Sequence, residues 1–257
     1  MQLLSVILMG VLCFLLGASI FSFLNVIICR LPKKESFVKG HSHCTACGTE
    51  LKARDLVPVF SWLCLRGKCR YCGAPISGRE TLLEIFGGAA AVICFFRSLQ
   101  TPMAGLTGYL LLCALTVAAM VDLNTMEIPD GCHIFIALLA VVRAFTVPGV
   151  SIPGRLSGAV CVSVPMLLLA LVINGAFGGG DIKLMAACGL FLGWKLVLPA
   201  FFLGAVIGGI QGVVLLAGKK AERKTRFAFG PGLCAGVLLS LLFGNAMIAG
   251  YLSLFGL

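Results

Sequence analysis

Apolar residues gather in eight runs along the chain, at 3–29, 82–96, 103–121, 132–147, 156–173, 182–192, 197–217 and 233–254. A helix needs about 20 apolar residues to cross a bilayer, so these runs predict membrane spans, with the second, fourth and sixth short for the task. The predicted fold is therefore all-α, a polytopic transmembrane helical bundle of about eight spans. The stretch 182–217 also admits a single broken or re-entrant element, because Gly193, Trp194 and Lys195, and then Pro199, interrupt it. The longest polar interval separates the first two runs. It divides the chain into a first transmembrane span at 1–29, a loop domain at 30–81 and a membrane domain at 82–257.

Composition and charge orient this outline. Of 257 residues 60% are apolar and only 12% charged, against about 25% in a soluble domain, and the mean hydropathy is +1.07. The opening run lacks the basic segment that precedes a signal peptide's apolar core; Arg30, Lys33 and Lys34 follow it instead, so it reads as an uncleaved span. Residues 30–79 hold ten of the 20 lysines and arginines and residues 219–226 hold five, with Lys183 on the same side. By the positive-inside rule that side is cytoplasmic, which puts the N-terminus outside and the loops 122–131 and 174–181 in the cytoplasm. Arg97, Arg143, Arg155 and Lys195 fall on the other side. The net charge of +10 is explained by this asymmetry and implies a bilayer partner rather than nucleic acid. Arg54, Arg66, Lys68, Arg70 and Arg79 suit anionic headgroups at about 1 kcal/mol each near the surface.

Inside the loop, Cys44 and Cys47 form one C-x2-C pair and Cys69 and Cys72 a second, with 21 residues between the pairs and a glycine directly after each (Gly48 and Gly73). Two such knuckles supply four thiolates at tetrahedral reach, the ligand set of structural zinc. A closed four-cysteine shell leaves no open position for water, so the expected role is to fold a small cytoplasmic zinc-knuckle domain, not to hydrolyse. His41 and His43 stand close enough to substitute for one thiol. A redox reading would need a thioredoxin-like context that neither pair has.

Two carboxylates sit at matching boundaries. Asp122 ends the third apolar run and Asp181 follows Gly178, Gly179 and Gly180. Acids beside membrane segments are costly and usually functional, although Asp181 also fits a plain helix N-cap. Brought within one water molecule of each other, the pair would share a proton, one aspartate activating water and the other protonating the leaving amine. The glycines and Lys183 are candidate substrate-binding positions, because a backbone without side chains lets an extended peptide approach. Glu127 could attract a basic substrate segment, and Asp130 behind Pro129 suits the start of the next helix. Glu80 and Glu84 complete a possible acidic track with them. The rival reading is a membrane transporter or assembly subunit with a zinc docking loop, its acids serving translocation.

The chain resembles the bacterial prepilin peptidases, the type 4 prepilin leader peptidases. The resemblance rests on Ser22-Phe23-Leu24-Asn25-Val26 with Arg30-Leu31-Pro32, the paired cysteines, and Ser61-Trp62 through Arg66-Gly67-Lys68-Cys69-Arg70-Tyr71-Cys72. It continues with Asp122 through Ile128-Pro129-Asp130 and with Gly178-Gly179-Gly180-Asp181-Ile182-Lys183. It implies an intramembrane aspartic endopeptidase of the G-x-G-D type in the bacterial inner membrane, with Asp122 and Asp181 as the catalytic pair. Its substrates would be type IV prepilins and pseudopilins of pilus and protein-secretion systems, cut after a short basic leader. It also implies methylation of the new amino terminus with S-adenosylmethionine. Asn25, Arg30 and Glu84 could serve the methyl donor or simply stabilise the cytoplasmic layer. Phe21 stands where the family usually has glycine, which predicts a looser helix contact at that level.

Overall fold

The computed structural model describes residues 2–36, 40–173, 175–217 and 228–254. The basic segment 219–226 that contributed to the orientation lies outside the described residues. Every apolar run becomes a helix. In chain order the helices are α1 (Gln2–Arg30), a short α2 (Phe60–Cys64) within the polar loop, α3 (Gly78–Arg97) and α4 (Pro102–Thr125). They continue as α5 (Asp130–Thr146), α6 (Ile152–Val172), α7 (Gly179–Leu192), α8 (Trp194–Ala217) and α9 (Gly230–Leu254). Among the described residues the only β pairing is two isolated antiparallel bridges, His43 with Glu50 and Lys68 with Pro75. Among the described residues five helices are long and apolar enough to cross a membrane: α1, α4, α6, α8 and α9. Arg79, Glu80, Glu84 and Arg97 dilute α3, while α5 and α7 have 17 and 14 residues.

The chain divides into two compact units, Met1–Tyr109 and Leu110–Leu257, with the boundary inside α4. In the first, α1 lies along α3 where Gly17, Gly87 and Gly88 leave no room for a methyl group. The looser contact expected at Phe21 is not found. Phe21 is fully buried against bare Gly87, edge-on to Phe86 at 5.9 Å and beside Tyr109 at 6.3 Å. The small residue stands on the partner helix instead, so the close approach survives with its bulk exchanged between helices. The Tyr109 hydroxyl donates toward the Gly17 and Gly87 carbonyls at 3.3 and 3.4 Å, tying both helices to the start of α4.

In the second unit α7 is the core helix. It is apolar nearly all round and buried on most of its surface, packed by α5 and α6, with α8 and α9 also in contact. Gly189 of α7 and Gly158 of α6 bring two backbones together with no space for a side chain. Residues 182–217 form two helices, not one. The break falls at Gly193, whose φ of +80° is left-handed and favours glycine, and α8 runs straight through Pro199. At the C-terminal end of α7, Arg155 of α6 is buried and donates to the carbonyls of Leu190 (3.3 Å) and Phe191 (3.0 Å). These carbonyls have no intrahelical partner, and the cation also suits the negative end of the helix dipole. The Arg143 guanidinium lies 4.6 Å from the Phe191 ring centre.

Candidate active site

The candidate carboxylates belong to the second unit. Asp122 lies on the last turn of α4, 5% exposed, and its Oδ2 accepts the Gly230 N–H at 2.9 Å. Gly230 opens α9, where the first N–H groups of a helix have no carbonyl partner, so a buried carboxylate finds a donor ready. A Cβ on Gly230 would come to 2.6 Å from that oxygen. Asp181 is 8% exposed and sits third in α7, its Oδ2 accepting the Gly178 N–H at 3.3 Å. The cap position itself is Gly178, so Asp181 does not occupy the N-cap its plain structural reading assigned; it reaches back to the cap from inside the helix.

One cavity of about 300 Å³ is lined by Asp122, Asp181, Gly178, Gly179, Gly180 and Lys183, together with Glu127, Asp130, Met126 and Ile128. Every candidate named from the sequence in this half of the chain therefore borders a single space. Asp122 is near enough to act electrostatically on Asp181. Gly179 leaves its side of the cavity open, whereas Gly180 packs on Ile128, 3.2 Å from where a Cβ would stand. Lys183 reaches Asp130 at 2.8 Å, with the buried His133 Nδ1 3.5 Å from the same oxygen. Lys183 thus holds the α5 and α7 starts together, and Asp130 is a partner of that lysine before it is an attractant for substrate. Gly230 was not found by sequence reasoning; the Gly230-Pro231-Gly232 run at a helix start was its only signal.

In the first unit the four cysteines converge. Their sulfurs all lie within 4.8 Å of one another, and Cys44 Sγ stands 3.9 Å from Cys72 Sγ. A tetrahedron with zinc–sulfur bonds of about 2.3 Å has edges of about 3.8 Å, so the spacing fits that ion. Each knuckle closes alike: Gly48 N–H donates to Cys44 O (2.8 Å) and Gly73 N–H to Cys69 O (3.0 Å), both glycines at φ near +70°. Thr49, through its side chain at 3.2 Å and its backbone, draws the Cys47 thiol down to about 6. At Cys72 the Ala74 backbone pulls the same way, but desolvation and the neighbouring sulfurs outweigh it and push that thiol up to about 11. Crowded sulfurs that resist losing their last proton are what a divalent cation relieves. His41 is engaged with Glu50 at 2.7 Å and stands outside the cluster. Between the two cysteine pairs in the chain, Asp55 has a side chain only 3% exposed and is held by Arg70 (2.6 Å) and Tyr71 (2.9 Å). Arg70 keeps the Asp55 carboxyl below the usual range, and Asp55 in turn raises the Tyr71 hydroxyl.

A helical membrane protein with buried acids on a glycine-lined cavity, and a cysteine-stapled loop ahead of it, has the architecture of a membrane peptidase. Comparison with known proteins is specific. Residues 15–98 match the bacterial peptidase A24 N-terminal domain and residues 109–213 the type IV leader peptidase family. The chain is 33% identical over 246 residues to the prepilin leader peptidase/N-methyltransferase of Bacillus subtilis (strain 168), covering 94% of this chain and 97% of that protein. It is 31% identical to the protein of the same name from Xanthomonas campestris pv. campestris, covering 94% of each. The one from Stutzerimonas stutzeri is 32% identical, with 94% of this chain and 93% of that protein covered. No solved structure matches. The chain belongs to the type IV leader peptidase family.

Proposed function

We propose that this chain is a processing enzyme of the bacterial inner membrane. As an aspartic endopeptidase it cuts the short basic leader from type IV prepilins or pseudopilins, and as a methyltransferase it then methylates the exposed amino terminus with S-adenosylmethionine. The observation that carries the peptidase reading is the shared cavity: Asp122 and Asp181 both border it, each with one oxygen held by a backbone N–H. Those bonds leave the other oxygen of each carboxyl for chemistry. Two neighbouring carboxyls cannot both ionise easily, so the pair holds one proton. The ionised member takes a proton from water as that water attacks the scissile carbonyl. Its protonated partner polarises the carbonyl oxygen and then supplies the proton with which the amine leaves. Gly178, Gly179 and Gly180 give an extended segment a wall without side chains, and Glu127 adds a negative charge toward a basic leader.

Zinc at Cys44, Cys47, Cys69 and Cys72 would be structural, with its shell closed by protein and no part in hydrolysis. The charge asymmetry supports an N-terminus outside, with the zinc loop and aspartates at the cytoplasmic face. The names of the relatives favour this reading over a transporter or assembly subunit.

The test is incubation of purified protein with a prepilin, followed by mass measurement of the product terminus. Wild type should yield the shortened and methylated chain. Asp122→Asn or Asp181→Asn should lower cleavage at least about 100-fold while insertion persists, the lower range for removal of a general acid or base. Wild-type cleavage by either mutant would refute the pair.

A further inference from the structure

Ile128 stands in the turn 126–129 between α4 and α5, borders the aspartate cavity and takes no part in the proton transfers of the acid pair. Its neighbours are the two glycines beside the acids. A Cβ built on Gly180, the residue before Asp181, would stand 3.2 Å from Ile128 Cβ, and the three atoms nearest that point all belong to Ile128. A Cβ on Gly230, whose N–H holds Asp122, would stand 3.2 Å from Ile128 Cδ1. One side chain therefore reaches from the start of α7 to the start of α9 and meets bare backbone at both ends. With no side chain on either glycine, the gap between these helix starts is set by the length of the residue packed between them. Isoleucine suits a fixed length, because branching at Cβ leaves it little freedom at χ1.

The turn that carries Ile128 is itself fixed. Met126 donates its N–H to Asp122 O at 2.8 Å, and the Thr125 hydroxyl lies 3.0 Å from Val121 O and 3.4 Å from Glu127 O. Pro129 follows and biases Ile128 to an extended backbone. Beyond it the Asp130–Lys183 pair, at 2.8 Å, ties the start of α5 to α7. Resting on the reading of Asp122 and Asp181 as a proton-sharing pair, we propose that Ile128 is a positioning residue of the peptidase: a stiff spacer, wedged between the Gly180 and Gly230 backbones, that sets the gap in which the two carboxyls share a proton and hold the attacking water. It acts through the two glycines and not on the substrate. Shortened, it leaves a void that the helix starts partly close, which draws the acids together and crowds the water between them.

The test is the pH dependence of kcat for the purified full-length protein cutting a prepilin. Wild type is compared with Ile128→Val, which loses only the Cδ1 that faces Gly230, and with Ile128→Ala, which keeps only Cβ. Two coupled carboxyls give a bell-shaped profile whose limbs lie further apart as their interaction strengthens. Ile128→Ala should lower kcat by about 10- to 100-fold with little change in KM, and Ile128→Val should fall between it and wild type. The limbs of Ile128→Ala should move apart by about 0.3 pH unit, the shift that Coulomb's law gives when charges about 5 Å apart close by about half an ångström at an effective dielectric of about 20. Those of Ile128→Val should move in the same direction. A raised KM at unchanged kcat would make Ile128 a substrate contact and overturn the proposal. So would a lowered melting temperature with kcat and both limbs as in wild type, the outcome of plain packing. Should Ile128→Ala fail to insert, Ile128→Val decides by the same limbs. If wild type does not cleave, or if Asp122→Asn or Asp181→Asn cleaves like wild type, the peptidase reading falls and the spacer with it; limbs that stay in place in an intact, cleaving Ile128→Val sink the spacer alone.

Discussion

Gly230 governs how Asp122 is presented, because only a residue without a side chain lets its N–H come to 2.9 Å from the carboxylate. Gly230→Ala should displace that oxygen and slow cleavage by about 10- to 100-fold, the scale of a small misplacement at a reacting group. Zinc content should not change, and prepilin cleavage rates measured beside metal analysis check both. Asp55 makes a prediction of the opposite kind, about stability and pH. Arg70 depresses its native pKa below the unfolded value near 3.9, so the pair's contribution is whole above about pH 4 and is lost as pH falls through the native value. The melting-temperature gap between wild type and Asp55→Ala should therefore be widest at neutral pH and close in acid. At this scale the sequence exposes side chains that violate their surroundings, such as Asp122 and Asp181 beside apolar runs. It hides backbone donors. Gly230 acts through a backbone N–H that every residue but proline has, and only packing reveals that this one matters.

Among the elements, the α1–α3 contact corrects an expectation. Phe21 looked too large for a close crossing, yet bare Gly87 receives it. Helix positions could be read from apolar runs, but the pairing of bulk on one helix with its absence on another depends on register, which a single sequence does not display. Phe21→Ala should cost about 2 kcal/mol, less than in a water-soluble core, because lipid takes up the transfer part and the void remains. A melt of the purified protein measures it. Phe21→Leu should lose less. The sequence offered two interrupters of 182–217, the Gly193-Trp194-Lys195 run and Pro199, and the structure chooses between them: the proline ring is accommodated within α8, and the positive-φ glycine makes the turn. Gly189→Leu should destabilise by about 1–3 kcal/mol or prevent folding, since its α-carbon stands against the Gly158 backbone.

For the molecule as a whole, the division into two units separates the cysteine-stapled loop from the aspartate cavity in the chain. Zinc removal by a chelator should raise hydrogen exchange across residues 40–76 and leave residues 110–257 unchanged, because binding energy at a structural site is folding energy for its own loop. Exchange that spreads into the second unit would show the two to be folded as one. The eight helical runs were legible from hydropathy, but which of them are enclosed was not. α7 is no more apolar than α6 or α8 on either side of it, carries Asp181 and Lys183 near its start, and is the shortest of the eight. That shortness has a consequence for the depth of Asp181. Its helix is clamped by arginines at one end and carries the carboxylate at the other, about 16 Å away at 1.5 Å per residue. An added turn would move the acid by about 5.4 Å and take it out of level with Asp122. The residue count of one enclosed helix acts as a gauge, fixing the height of an acid from within the protein and independently of the thickness of the surrounding lipid.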